Sequence, residues 1–164
     1  MLKVTFVDDE KPILDGLRRT LRSHRRSWDM RFHTGAREAL QAMEDDPPDV
    51  IVSDVRMPGM DGAALLQAVK QRHPETVRIT LSGHADADAT KALVSVAHQY
   101  LSKPCDAAML ERTITRALDV RSLVENPKTR RIIGAIEHLP SAPSLFHELS
   151  ELLADEQVHV EAVA

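Results

Sequence analysis

The sequence contains a single cysteine, Cys105, among 164 residues. No internal disulfide is open to it, which suits a reducing compartment, and Cys105 reads as a small residue at a helix start. No apolar run approaches the roughly 20 residues that cross a bilayer. The start, Met1-Leu2-Lys3-Val4, lacks the apolar stretch of a secretory signal, so a cytoplasmic protein without a membrane partner is expected. No Cys or His set stands at zinc-ligand spacing, and the eight histidines are scattered and read as surface or boundary residues. Positive charge is also short: 21 Lys and Arg face 25 Asp and Glu, a net charge of −4. That balance gives no general attraction to phosphate backbones and weighs against nucleic acid, which would need a local basic face. The cluster Arg18-Arg19, Arg22 and Arg25-Arg26 reads as a solvated helix face. Internal repeats and low-complexity segments are absent too.

What is present is the composition of a globular domain, 43% apolar and 28% charged. The length allows one domain of ordinary size plus a short appendage. Residues 2 to 7 alternate into Asp8-Asp9 as a first strand, and Pro12 suits the first turn of a helix carrying Ile13, Leu14, Leu17 and Leu21. Trp28, Met30 and Phe32 alternate with Asp29, Arg31 and His33 in a second strand, whose solvated alternate face suggests a less covered place in the sheet. There follow a helix from Ala36 to Glu44, the buried run Asp49-Val50-Ile51-Val52-Ser53 leading to Asp54, and a helix after Gly62 closing near His73-Pro74. A strand over 77–81, a helix from Asp86 to Ala97, a short strand over 98–101 and a last helix from Ala107 complete the series. Strands separated by helices predict an α/β fold, a doubly wound parallel sheet of five strands with helices on both faces.

Right-handed crossovers bring the carboxyl end of every strand to one edge, where open α/β sheets bind their ligands. Asp8-Asp9, Asp54, Ser82-Gly83 and Lys103 all lie at or just past such ends. Three carboxylates form an anionic, oxygen-rich pocket suited to a hard divalent cation, with Mg²⁺ the natural choice. With that charge screened, Asp54 can attack phosphorus and become an aspartyl phosphate. Lys103 offers a mobile point charge for one phosphoryl oxygen, the Ser82 hydroxyl a hydrogen bond for another, and the Gly83 amide an unobstructed donor. Each alone would be an ordinary solvent lysine or turn serine. Their joint placement carries the argument.

Asp8-Asp9-Glu10, Asp54 with Met57-Pro58-Gly59-Met60-Asp61-Gly62, Leu81-Ser82-Gly83, and Tyr100-Leu101-Ser102-Lys103-Pro104 resemble the four signature blocks of the receiver domain of two-component response regulators. The likeness covers residues 1 to about 121. It implies a flavodoxin-like sheet of five strands flanked by five helices, with Asp54 phosphorylated by a sensor histidine kinase. It further implies Mg²⁺ held directly by Asp9 and Asp54, by Asp8 largely through water, and by the Arg56 backbone carbonyl. Ser82 and Lys103 would hold the phosphoryl group, Tyr100 would be an aromatic switch coupled to Ser82, and the Lys103-Pro104 bond is often cis. There are departures. Arg56 brings a long cation to the mouth of the site, Ser82 lacks the methyl of the commoner threonine, and Gly83-His84 frees the following loop.

The last helix carries Leu110, Ile114, Ala117, Leu118 and Val124, a stripe longer than one sheet needs, so its outer turns suit a homodimer or an adjoining domain. Asn126-Pro127 reads as the N-cap and first residue of a new helix to His138. Leu139-Pro140-Ser141-Ala142-Pro143 is an extended spacer, and Leu145, Leu149, Leu152 and Leu153 mark a further helix ending near Asp155. The stretches 136–145, 149–153 and 160–164 are similar to the opening of an HDOD output domain, an all-helical and generally non-catalytic module. The expected organisation is therefore a receiver domain over 1–121, a linker helix region over 122–138 and the start of an incomplete output domain over 139–164, in a chain cut from a longer one. The expected function is a Mg²⁺-dependent phosphorylation switch, not an enzyme, that controls a C-terminal output module. Two alternatives stay open: a receiver-like interaction module that works unphosphorylated, and a hydrolase with an aspartyl intermediate. Such hydrolases usually place a second carboxylate two residues after the nucleophile, where this chain has Arg56. A DNA-binding regulator is a fourth reading, but the tail has no helix-turn-helix with a basic recognition helix.

Overall fold

The computed structural model describes residues 1–83 and 96–122, with side chains to residue 119. In chain order these form β1 (Leu2–Val7), α1 (Lys11–Thr20), a 3₁₀ segment (Leu21–Arg26), β2 (Trp28–His33), α2 (Ala36–Asp45) and β3 (Val50–Asp54). Then come α3 (Gly62–Arg72), β4 (Val77–Ser82), β5 (Gln99–Ser102) and α4 (Ala107–Ser122). The strands build one sheet in the order β2-β1-β3-β4-β5, and every neighbouring pair is parallel. This is the doubly wound sheet expected. The order reverses between β1 and β3, the crevice where such sheets place a ligand.

Alternation along β3 explains the two cores. Val50 and Val52 join Val4, Phe6, Ile79 and Leu81 under α1 and α4, which contribute Leu14, Leu110, Ile114 and Ala117. Ile51 faces the other way and joins Val7 beneath α2 and α3, with Ala39, Leu40, Met43, Leu65, Leu66 and Val69. A strand buried on both faces cannot alternate apolar with polar, which is why the run before Asp54 is apolar throughout. The second strand occupies a sheet edge, as its half-solvated pattern suggests.

Three details depart from the sequence reading. The basic cluster does not lie on one helix face: the α-helix ends at Thr20 and the chain tightens into the 3₁₀ segment, anchored by the fully buried Leu21. The last strand starts at Gln99, one residue later than expected. His98, expected at the surface or a boundary, is 3% exposed because Arg78 in β4 is itself fully buried and uses it as a partner. The Arg78 backbone N–H donates to His98 Nδ1 at 3.0 Å, and Arg78 Nη2 lies 2.8 Å from His98 Nε2. Arg78 Nε donates to the Val96 carbonyl at 2.7 Å and Nη1 to that of Thr76 at 3.0 Å. Burial pushes the Arg78 pKa down to about 10, so the guanidinium stays charged at neutral pH. The helix expected from Asp86 lies outside the described residues apart from its end, as do the segments read after residue 122.

Arg78→Ala should lower the unfolding free energy by about 3 kcal/mol or more, because it strands several buried acceptors at once. Arg19→Ala, at an exposed position, should stay within about 0.5 kcal/mol of wild type. Urea unfolding of both variants checks the contrast, and equal midpoints would contradict it.

Candidate functional site

The carboxyl ends of β1, β3 and β4 and the residue just past β5 bring the expected groups to one edge. Asp8 follows β1 directly and is 2% exposed; Asp54 closes β3 and is 8% exposed. The two acids are held alike. Asp8 Oδ1 accepts the Glu10 backbone N–H at 2.9 Å, and Asp54 Oδ2 accepts that of Arg56 at 2.8 Å. The second oxygen of each faces Lys103, whose Nζ lies 2.8 Å from Asp8 Oδ2 and 2.5 Å from Asp54 Oδ1. The Lys103 backbone N–H donates to the Ser82 carbonyl at 2.7 Å. That bond ties the lysine to the end of β4 while its long stem reaches back across the sheet. The Lys103-Pro104 peptide bond is cis, as the resemblance implied.

Burial opposes the Lys103 charge, but hydrogen bonds to Asp54 and Asp8 and their negative charges outweigh it. The lysine pKa is therefore held above its ordinary 10.5. A cation bonded to two carboxylates is stabilised against loss of its proton.

The backbone around Asp54 is equally constrained. Ser53 Oγ donates to the Asp54 carbonyl at 2.8 Å, and Thr80 Oγ1 to the Ser53 carbonyl at 3.2 Å. The Gly62 N–H donates to the Val55 carbonyl at 2.9 Å, closing the turn that follows β3. A Cβ on Gly62 would stand 2.1 Å from the Asp54 carbonyl oxygen, so only glycine fits. Gly59 takes a φ of +80°, in the left-handed region that glycine adopts without a Cβ penalty. Asp61 caps α3, its side chain accepting the Ala64 N–H at 2.8 Å. The run Met57 to Gly62 is thus turn and cap chemistry that fixes where Asp54 sits.

The remaining predicted residues surround this centre. Asp9 is exposed and lines an open cleft of 470 Å³ with Arg56, Met57, Pro58 and Asp61. Ser82 ends β4 one residue beyond Leu81, the register partner of Asp54, and both Ser82 and Gly83 are partly exposed. Tyr100 pairs with Thr80 and Ser102 with Ser82. Ser82 and Tyr100 therefore share one sheet face as diagonal neighbours. The Tyr100 ring packs against the core beneath α2 and α3, and its hydroxyl is buried with no hydrogen-bond partner among the described residues. Burial raises its pKa.

Asp8, Asp9 and Asp54 supply only oxygen donors, which fits a hard cation and not a zinc-type ion. Among the described residues no three acidic, His or Cys side chains gather around one point as a ligand set. Lys103 sits between Asp8 and Asp54, and Asp9 stays at the rim. Sequence reasoning gave Asp8 to the metal and Lys103 to the phosphoryl group, and it missed that the two are partners. The signal was topological, since β1 and β3 are sheet neighbours and only a long side chain can reach them from beyond β5.

The family model of the response regulator receiver domain matches residues 4–115. The chain belongs to the receiver domain family of response regulators. Over 129 residues it is 40% identical to the DNA-binding transcriptional regulator NtrC of Escherichia coli K12, covering 74% of this chain and 27% of that protein. Over 137 residues it is 34% identical to the C4-dicarboxylate transport transcriptional regulatory protein DctD of Pseudomonas aeruginosa, covering 83% and 29%. The signal receiver domain of an HD domain-containing protein from Pseudomonas fluorescens Pf-5 superposes with a TM-score of 0.68 at 30% identity, covering 72% of this chain and 94% of that one. The receiver domain of NtrX from Brucella abortus gives 0.64 at 31%, covering 71% and 98%. The chain spans under a third of the length of these two curated regulators. Because NtrC is named as DNA-binding, the relatives lend no support to setting nucleic acid aside.

The receiver's geometry yields two measurable outcomes. Gly62→Ala should cost about 1–3 kcal/mol of stability, because the new methyl meets backbone and not a flexible side chain. The Lys103 pKa is raised on folding, so the stability its charge contributes is present below the ordinary lysine value and lost as pH rises through the higher folded value. Urea midpoints between about pH 9 and pH 12 should fall more steeply for wild type than for Lys103→Met. Parallel curves would contradict the pairing.

Proposed function

We propose that Asp54 accepts a phosphoryl group from a sensor histidine kinase and that the receiver passes the resulting change to a C-terminal output module. The observation that carries this reading is the Lys103 ammonium shared between Asp8 and Asp54 at the carboxyl edge of the sheet. Asp54 Oδ1 attacks phosphorus, a new O–P bond forms, and the bond to the donor breaks with its electron pair leaving on the donor. Asp54 Oδ2 stays on the Arg56 N–H, which keeps the carboxylate oriented during the attack. Lys103 then exchanges one anion for another, moving from Asp54 Oδ1 to a phosphoryl oxygen while Asp8 continues to anchor it. The Ser82 hydroxyl donates to a second oxygen and the Gly83 amide to a third. Asp8, Asp9, Asp54 and the Arg56 carbonyl are the groups that would hold Mg²⁺, which when bound offsets the charge of the crowded carboxylates and phosphoryl oxygens. This is phosphoryl transfer by positioning and charge neutralisation, with no general acid or base required. The receiver is accordingly a switch, not an enzyme with turnover. Arg56 stands where an aspartyl hydrolase would need its second carboxylate.

The conformational message runs from Ser82 to its diagonal neighbour Tyr100. Burying a hydroxyl without a partner costs about 1–3 kcal/mol, and Tyr100 has none among the described residues, which favours a second position for it. Ser82 drawn toward the phosphoryl group biases that pair of states. Arg56, exposed at the mouth of the cleft, sets how readily water reaches the acyl phosphate.

The organisation we favour is the receiver over 1–121, a linker helix region over 122–138 and an HDOD-like output segment from residue 139. The tail's likeness to that module supports it, and the receiver of an HD domain-containing protein is among the structural neighbours. A DNA-binding output, of the kind named for NtrC, is the competing arrangement. The described part of α4 commits Leu110, Ile114 and Ala117 to the sheet, so homodimer pairing through this helix would use its later turns. No helix among the described residues is long and apolar enough to cross a membrane, and we place the protein in the cytoplasm.

With acetyl phosphate and Mg²⁺, wild type should gain the mass of one phosphoryl group, and Asp54→Asn should gain none. Lys103→Ala should slow the gain by roughly two orders of magnitude, the usual effect of removing one anion-stabilising donor. An unchanged wild-type mass would sink the proposal; label persisting in Asp54→Asn would move the site.

A further inference from the structure

The arginines that the sequence suggests are merely solvated form a run of uninterrupted positive charge. From Thr20 to Trp28 no acid interrupts the chain, and Arg19, Arg22, Arg25 and Arg26 are all exposed. Acids around this run are already engaged: Asp15 lies 3.7 Å from Arg18, Asp29 3.0 Å from Arg31, and Glu111 3.2 Å from His24. Arg18 itself is spent over the Phe32 ring at 4.7 Å. Among the described residues the other four arginines form no salt bridge. A stripe of like charges on one surface repels itself unless an anionic partner covers it.

Such a partner is written into the same chain. The last 33 residues, from Ile132 onward, hold six acids and no lysine or arginine. The preceding 131 residues therefore carry 21 basic against 19 acidic side chains, so the whole negative excess of the chain resides in its tail. Glu148, Glu151 and Asp155 follow one another at spacings of three and four, which a helix puts on one face. Arg19 near the end of α1 and Arg22 and Arg26 on the 3₁₀ segment are exposed on consecutive elements. Topology brings the two within reach. A helix that follows β5 at its carboxyl end returns toward the edge where strands begin, and the 3₁₀ segment lies at that edge, with the Ser27 carbonyl accepting the Leu2 N–H at 3.0 Å. Ala117 and Leu118 of α4 join the same cluster as Leu21 and Leu2. Glu111 of α4 lies 3.2 Å from His24 of the 3₁₀ segment, so α4 runs past the arginines, and a segment tethered to it acts there at high effective concentration.

We infer that the exposed arginines at the end of α1 and on the 3₁₀ segment are the docking surface for the acidic segment 148–161 of the same chain. Individually exposed ion pairs are weak, so the contact is multivalent, reversible and sensitive to salt. It gives the output segment a resting place on the receiver that does not involve Asp54, and any partner that competes for the arginines would release it.

The test uses the 164-residue chain carrying Cys105→Ser and Ser150→Cys with a nitroxide label at position 150, read by amide NMR. At low ionic strength the label should broaden the amides of residues 19–26, independently of protein concentration. Broadening should vanish near 1 M salt, where the screening length is about 3 Å. It should also vanish in Arg19→Glu, Arg22→Glu, Arg26→Glu, and return when Glu148→Arg, Glu151→Arg and Asp155→Arg are added to that triple variant. No broadening at low salt, broadening that grows with concentration, or broadening that survives charge reversal would each overturn the inference. A DNA duplex that binds the patch equally well with the tail acids neutralised would overturn it too, assigning the surface to nucleic acid.

Discussion

The Lys103 ammonium lies between two buried carboxylates that neighbouring strands deliver, Asp8 from the end of β1 and Asp54 from the end of β3, while its own backbone is tied to Ser82 on β4. Remove this cation in thought and two acids are left facing each other in a poorly solvated crevice with their repulsion uncompensated. With it, each carboxylate has one oxygen on a backbone N–H and one on the lysine. The crossover direction of the parallel sheet, the turn at Gly62 and the cap at Asp61 all serve to hold that three-body contact in place.

The same contact explains how a signalling event starts from a static core. In the proposed function the lysine already sits where an incoming anion would be neutralised, so phosphoryl transfer would change its partner and not its charge. Under that proposal a change of partner at the end of β4 would be passed along one sheet face, where Ser82 and Tyr100 are diagonal neighbours. The buried Tyr100 hydroxyl, without a partner among the described residues, stands to gain from a second arrangement. The run Val50 to Val52 of the central strand, apolar on both faces, has little freedom to respond.

Much of this was legible in the sequence for physical reasons. Periodicity located the strands, the half-polar pattern from Trp28 to His33 placed that strand at an edge, and parallel crossovers required Asp8, Asp54, Ser82 and Lys103 to share a rim. Periodicity carries no information about long-range pairing, which is why the Asp8–Lys103 contact and the burial of Arg78 against His98 went unseen. An arginine in an alternating strand looks the same whether its slot opens to solvent or onto carbonyls of a neighbouring loop. The tight turn at Leu21 was hidden for a similar reason, since helical spacing of leucines continues through it. Charge balance says little about nucleic acid, since a net charge of −4 averages a basic stretch with an acidic tail.

Borohydride reduction converts an aspartyl phosphate to homoserine with release of the phosphate, and so records which carboxylate carried the group. Applied to the wild-type chain after incubation with acetyl phosphate and Mg²⁺, followed by peptide sequencing in the mass spectrometer, the reduction should place homoserine at position 54 and nowhere else. Homoserine at Asp8 or Asp9, or none at all, would contradict the account.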